Sequence, residues 1–146
     1  MSQKIKIMIL GGARENGKNM YAVQVEDEIF IMDAGLKYPD SSLLGIDVVI
    51  PDLQFFRDYG DKIAGIFLTH GHADSIGALP YILRDYDIPV FGSKLTIELA
   101  KIAVQRENRH RKNDLFHVID ADTEIEFKNA NVSFFKTTHS IPDSLG

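Results

Sequence analysis

Short runs rich in β-branched and aromatic residues, each bounded by Gly, Asn or Asp, predict strands over residues 5–10, 20–25, 28–33, 63–69, 89–92, 115–119 and 132–137. The second and third meet through Glu26-Asp27 and read as a hairpin, with Met20, Ala22 and Gln24 on one face and Tyr21, Val23 and Val25 on the other. Helical spacing appears later. Leu79, Ile82, Leu83 and Tyr86 follow it after Gly77, with Pro80 suited to an opening turn. A second helix begins after Ser93, a predicted N-cap, and lines Leu95, Leu99, Ile102 and Ala103 on one stripe. A shorter helix is predicted over 52–59. Strands fill the opening and helices arrive between later strands, which predicts a layered, mixed α/β domain over residues 1–146 with no internal repeat.

Composition narrows this picture. With 146 residues, 45% hydrophobic and 25% charged, the chain has material for one core. The apolar run Ile7-Met8-Ile9-Leu10 stops at Gly11-Gly12, too soon for a signal-peptide core, and no stretch approaches the roughly 20 apolar residues of a membrane span. No membrane partner is expected. Cysteine is absent, so any transition-metal site must use His and carboxylate ligands, and a cytoplasmic setting is expected. A net charge of -5 argues against holding nucleic acid by bulk electrostatics. The one basic run, Arg106-Glu107-Asn108-Arg109-His110-Arg111-Lys112, reads as a solvated helix end, or alternatively as a minor RNA contact.

The segment Thr69-His70-Gly71-His72-Ala73-Asp74-Ser75 directly follows the apolar run 63–68. In an extended or gently turning chain His70, His72 and Asp74 would point to one side and could converge on a metal ion, with Gly71 allowing the bend. Two histidines at a strand end could also be mere loop residues. The alternation of two His with an Asp, at the place where α/β folds hold their ligands, favours the metal. Of the other histidines, His110 falls in the basic run and His117, between Phe116 and Val118, reads as a strand-face residue.

His70-Gly71-His72-Ala73-Asp74 resembles the His-x-His-x-Asp-His signature of the metallo-β-lactamase superfamily. Further segments resemble the ribonuclease J family: Glu15-Asn16-Gly17-Lys18-Asn19-Met20, Met32-Asp33-Ala34-Gly35, Gly45-Ile46-Asp47, Ile50-Pro51-Asp52, and the run from Phe134 through Thr138-His139-Ser140 to Ser144. The resemblance implies an αββα sandwich, of which this chain is the N-terminal half, and a metal-dependent exo- or endoribonuclease. It also implies His70, His72 and His139 as ligands of a first zinc or manganese ion. Asp74 would be a ligand of a second ion and a catalytic carboxylate, and Asp33 a residue that orients the site by hydrogen bonding. A turn-forming Asp33 is the plainer alternative.

Two departures qualify the resemblance. Ser75 stands where the family pattern has a ligand histidine, and a hydroxyl is a poor substitute for imidazole. This resembles the second ribonuclease J paralogue, a weakly catalytic partner subunit. The β-CASP and C-terminal domains that the resemblance implies are expected to lie outside this chain, so at most one ion and no hydrolysis are expected of it, with single-stranded RNA and a paralogue subunit as partners of the whole protein. A fully competent two-metal hydrolase is the alternative. An isolated half-sandwich would also leave a sheet face bare, which predicts a homodimer. A rival of another class is a nucleotide-binding P-loop at residues 12–19. There, however, Asn19 replaces the Mg²⁺-binding hydroxyl and a strand-like run follows where a helix must open.

Overall fold

The computed structural model describes residues 2–108 and 113–146, so His110 and most of the basic run lie outside the described residues. Six strands form one sheet: β1 (Ile5–Gly11), β2 (Met20–Val25), β3 (Glu28–Met32), β4 (Ile63–Phe67), β5 (Val90–Gly92) and β6 (Phe116–Val118), adjacent in that order. β1, β2 and β3 are antiparallel neighbours, while β3 to β6 run parallel. Parallel neighbours need crossovers, and these carry the helices α1 (Gln54–Tyr59), α2 (Ala73–Ile76), α3 (Leu79–Asp85) and α4 (Lys94–Glu107). A separate antiparallel pair, β7 (Glu124–Glu126) and β8 (Asn131–Ser133), completes the described strands. No described helix is long and apolar enough to cross a membrane.

Alternation along each strand divides the sheet into two apolar faces. On the helix side, Met20, Ala22, Ile29, Ile31 and Ile66 pack against Phe56, Leu79, Ile82, Leu83, Ile97 and Val104. On the other side, Val25, Phe30 and Phe67 meet Phe127, Val132 and Phe134 from the β7–β8 region. Phe30 and Phe127 pack edge to face at 5.1 Å, and Phe67 stacks on Phe91 at 4.9 Å. The sheet face expected to be bare is therefore partly covered. On the edge strand β1, Ile5, Ile7 and Ile9 stay 60%, 70% and 60% exposed.

Element boundaries differ from the sequence expectation for identifiable reasons. β3 ends at Met32 because Asp33 takes a left-handed φ of 62°, and β4 ends at Phe67 because the Thr69 N–H turns from the ladder to the Asp33 carboxylate. The strand expected over 132–137 stops at Ser133, beyond which Phe135 pairs with Gly146. Tyr86 caps α3 rather than extending it, and α1 starts at Gln54, two residues inside the expected 52–59. The α4 stripe is also corrected. Thr96, Ile97, Ala100 and Val104 are buried, while Ile102 is exposed and Leu95, Leu99 and Ala103 only half-buried. Apolarity alone misplaced that face, because Thr96 is buried with its hydroxyl accepting a bond from Ser93 Oγ at 2.9 Å. Ser93 occupies the N-cap position but makes no side-chain cap bond to the helix backbone.

Candidate metal centre

The parallel strands β3 and β4 end side by side, Met32 opposite Phe67, and the loops leaving their C-terminal ends supply the site. The left-handed turn at Asp33 sends its carboxylate, buried and 8% exposed, beneath the loop after β4. There it accepts the Thr69 N–H at 2.8 Å and the Thr69 hydroxyl at 2.9 and 3.1 Å. The same hydroxyl lies 2.8 Å from His70 Nδ1, so Asp33 grips the imidazole of His70 through Thr69. Burial, the largest influence, pushes the Asp33 carboxyl up to about 6, against the bonds from Thr69 and Ser75.

The chain does not continue as a strand through the motif. His72 is the extended N-cap of α2, and its carbonyl accepts the N–H groups of Ser75 and Ile76, so Asp74 and Ser75 sit in a helical turn. The expected two-residue alternation is thus replaced by helical spacing: Asp74 lies one turn beyond His70, with Oδ1 3.5 Å from His70 Nε2. Ser75 points inward, fully buried, with Oγ 3.4 Å from His70 Nδ1. It therefore faces the rear of His70 rather than the front.

His139 arrives from the far end of the chain. Residues 135–146 fold back on themselves through Phe135–Gly146 and Thr137–Ser144 backbone bonds, and Leu145 N–H donates to the Thr69 carbonyl at 2.9 Å. That brings the His139 ring to 4.0 Å from His70 and 4.9 Å from His72, centre to centre. One ring nitrogen from each of His70, His72 and His139 lies within 4.8 Å of the others, with burial decreasing in that order. His70 Nε2 and Asp74 Oδ1 are both buried and without a hydrogen-bond partner. A buried lone pair on nitrogen facing a buried carboxylate oxygen is costly unless a cation lies between or beside them. Burial first, and then the neighbouring His139, hold the His70 pKa below its ordinary value, which favours the neutral ring that binds metal. Three imidazoles with a carboxylate oxygen at the margin form a donor set able to hold a transition-metal ion.

Two positions that the sequence reading did not assign to the centre pack against Asp74. Asn19 donates its backbone N–H to the Asp74 carbonyl at 3.1 Å and its side-chain amide to Oδ2 at 3.3 Å. Gly35 sits so close that a Cβ there would lie 1.6 Å from the Asp74 carbonyl oxygen. The rival phosphate-cradle reading of residues 12–19 fails on this geometry. Lys18 pairs with Glu15 at 3.1 Å, Glu15 is also held by Lys37, and a strand follows where a helix is required. His117 is, as expected, a strand-face residue, stacked on Phe91 at 5.1 Å.

Comparison with known proteins identifies the family. The family model described as the metallo-beta-lactamase superfamily matches residues 13–142. A protein named Ribonuclease J 2 from Streptococcus pyogenes is 59% identical over 142 residues, covering 97% of this chain and 26% of the relative. Another of the same name from Staphylococcus aureus is 51% identical over 145 residues, with 99% and 26% covered. The chain thus spans about a quarter of the length of these relatives. Among solved structures, a B3 metallo-beta-lactamase with an active-site glutamic acid superposes with a TM-score of 0.62 at 16% identity, covering 95% of this chain and 52% of the other. An Enterococcus faecalis protein of unknown function gives 0.71 at 17%, covering 99% and 40%. Both likenesses speak to the fold alone.

Proposed function

Because the chain belongs to the metallo-beta-lactamase superfamily, we propose that it forms the front of a ribonuclease J-type hydrolase in which His70, His72 and His139 hold one divalent ion, zinc or manganese. The observation that carries this reading is the pair of buried, unpartnered atoms, His70 Nε2 and Asp74 Oδ1, beside the three converging imidazoles. Bound there, the ion would polarise a phosphodiester and lower the pKa of a water. The chain's own residues do the rest. Asp33 and Thr69 fix the angle of His70, Asn19 holds Asp74 Oδ2, and Asp74 Oδ1 is left as a catalytic carboxylate able to orient or take a proton.

Position 75 offers no imidazole, so a second ion is poorly held and the whole protein acts weakly, as a subunit that assembles with a ribonuclease J paralogue in the cytoplasm on single-stranded RNA. The test uses the full-length protein. Wild type should bind about one ion per chain and hydrolyse a 5′-labelled single-stranded RNA slowly, and Ser75→His should raise metal content toward two and speed hydrolysis. Two tightly held ions with rapid hydrolysis by wild type would support the competent two-metal enzyme instead.

For the chain by itself we propose a two-fold dimer across the strip Ile5, Ile7, Ile9 and Met32, which the β7–β8 pair leaves open. Size-exclusion chromatography with light scattering should give twice the chain mass, and Ile7→Lys should halve it. A wild-type monomer at micromolar concentration would overturn the dimer.

A further inference from the structure

Ser75 is the one position in the motif where the family resemblance and this sequence part, and a lost ligand ordinarily leaves a vacated slot facing the metal. Here the side chain is turned elsewhere. Its hydroxyl lies 3.4 Å from His70 Nδ1, the ring nitrogen opposite the one that faces Asp74. Thr69 Oγ1 makes the closer contact to the same nitrogen at 2.8 Å and bonds both oxygens of Asp33. Two hydroxyls therefore meet one imidazole nitrogen, and that of Thr69 joins it to the Asp33 carboxylate.

Proton bookkeeping fixes what this arrangement selects. An ionised Asp33 only accepts, and it is met by the Thr69 N–H as well as by the Thr69 hydroxyl. The Thr69 hydroxyl has a single proton, which goes to the carboxylate, so it turns a lone pair toward His70 Nδ1, and Ser75 Oγ stands beside that nitrogen as a second acceptor. That nitrogen must then carry the ring proton. Nε2 is left as a bare lone pair, and it is the nitrogen that is buried, lacks a partner and lies 3.5 Å from Asp74 Oδ1.

We propose that Ser75 is a positioning residue that, with Thr69, locks His70 in the Nδ1–H tautomer and so presents Nε2 as a metal ligand. This rests on the reading of His70 as a ligand, but the tautomer itself can be measured without metal. Position 75 has exchanged one role at the centre, holding an ion, for another, holding the ligand of the neighbouring ion. Contacts of this kind are worth roughly 10–100-fold in metal affinity. The long Ser75 contact belongs at the low end of that range and the short Thr69 contact higher.

The experiment is nitrogen-15 correlation spectroscopy of the histidine rings in the metal-free chain at mildly alkaline pH, paired with zinc titration against a chromophoric chelator. Wild type should show His70 as the Nδ1–H tautomer. Ser75→Ala should shift its ring nitrogens toward an averaged tautomer and weaken zinc binding about tenfold. Ser75→Thr, which keeps the hydroxyl, should restore both, and Thr69→Val should lose more than Ser75→Ala. Wild-type nitrogen shifts and zinc affinity in Ser75→Ala would overturn the assignment. So would an Nε2–H tautomer in wild type, a result that needs no variant to fold. If wild type shows the Nδ1–H tautomer yet binds no zinc, the positioning contact stands and the metal reading falls.

Discussion

Zinc at about one hundred times its dissociation constant should raise the unfolding free energy of the chain by about 2.7 kcal/mol, and His139→Ala should abolish most of that rise. The size follows from mass action, since the imidazoles converge only in the folded state. For a chain of this length the gain corresponds to roughly 5–10 °C in melting temperature. His139 is the informative ligand to remove because it is exposed and carried on residues 135–146, so its truncation leaves the core between sheet and helices intact. Removing buried His70 would confound ligand loss with a cavity beside Thr69. Elemental analysis should find close to one equivalent of metal, and chelation should return the melting temperature to that of the metal-free chain. Two tightly held equivalents, or a zinc-dependent rise that survives His139→Ala, would show that the trio is not the ligand set.

How much of this centre was legible in the sequence depends on how local each cause is. His70, His72 and Asp74 lie within five residues, so their convergence is readable, although the sequence predicts an extended or gently turning chain where α2 supplies a helical turn. His139 could be placed only by resemblance, because the backbone bonds that bring it in, such as Leu145 to Thr69, join segments far apart in the chain. The bonds that tie Asn19 and Thr69 to the site are hidden for a similar reason. Nothing in a lone Asn or Thr announces that its partner is a carboxylate 55 or 36 residues away. The fold shows the same division. The hairpin β2–β3 follows from alternation around Glu26-Asp27, and its pairing is as expected. The buried face of α4 does not, because Thr96 counts as polar in any hydrophobic pattern until Ser93 is seen beside it. The β7 strand, two glutamates around Ile125, gains its place only by pairing with β8 and packing near Phe30 and Phe67.

Asp33→Asn should change how the stability of the metal-free chain depends on pH. The ordinary value of the Asp33 carboxyl is 3.8 and burial raises it to about 6 in the folded chain. An acid whose pKa is raised by folding binds its proton more tightly in the native state. Between the two values the folded chain therefore holds more protons than the unfolded one, and this group's contribution to stability grows as the pH falls. The destabilisation from a buried, charged Asp33 is complete above about pH 6 and is relieved toward pH 4, an effect of order 3 kcal/mol over the whole range. His70 acts in the opposite sense. Its depressed value means the unfolded chain takes up the proton first, so acid erodes stability below the ordinary histidine range. Wild type alone would mix the two trends, but the difference between wild type and Asp33→Asn isolates the carboxyl. Asn tolerates the left-handed backbone and keeps an acceptor for Thr69, yet cannot titrate. Urea unfolding of both proteins should show wild type gaining about 2 kcal/mol relative to the variant between about pH 7.5 and about pH 4.5. A difference that stays flat over that interval would mean that Asp33 titrates at its ordinary value, with the bonds from Thr69 and Ser75 fully offsetting its burial.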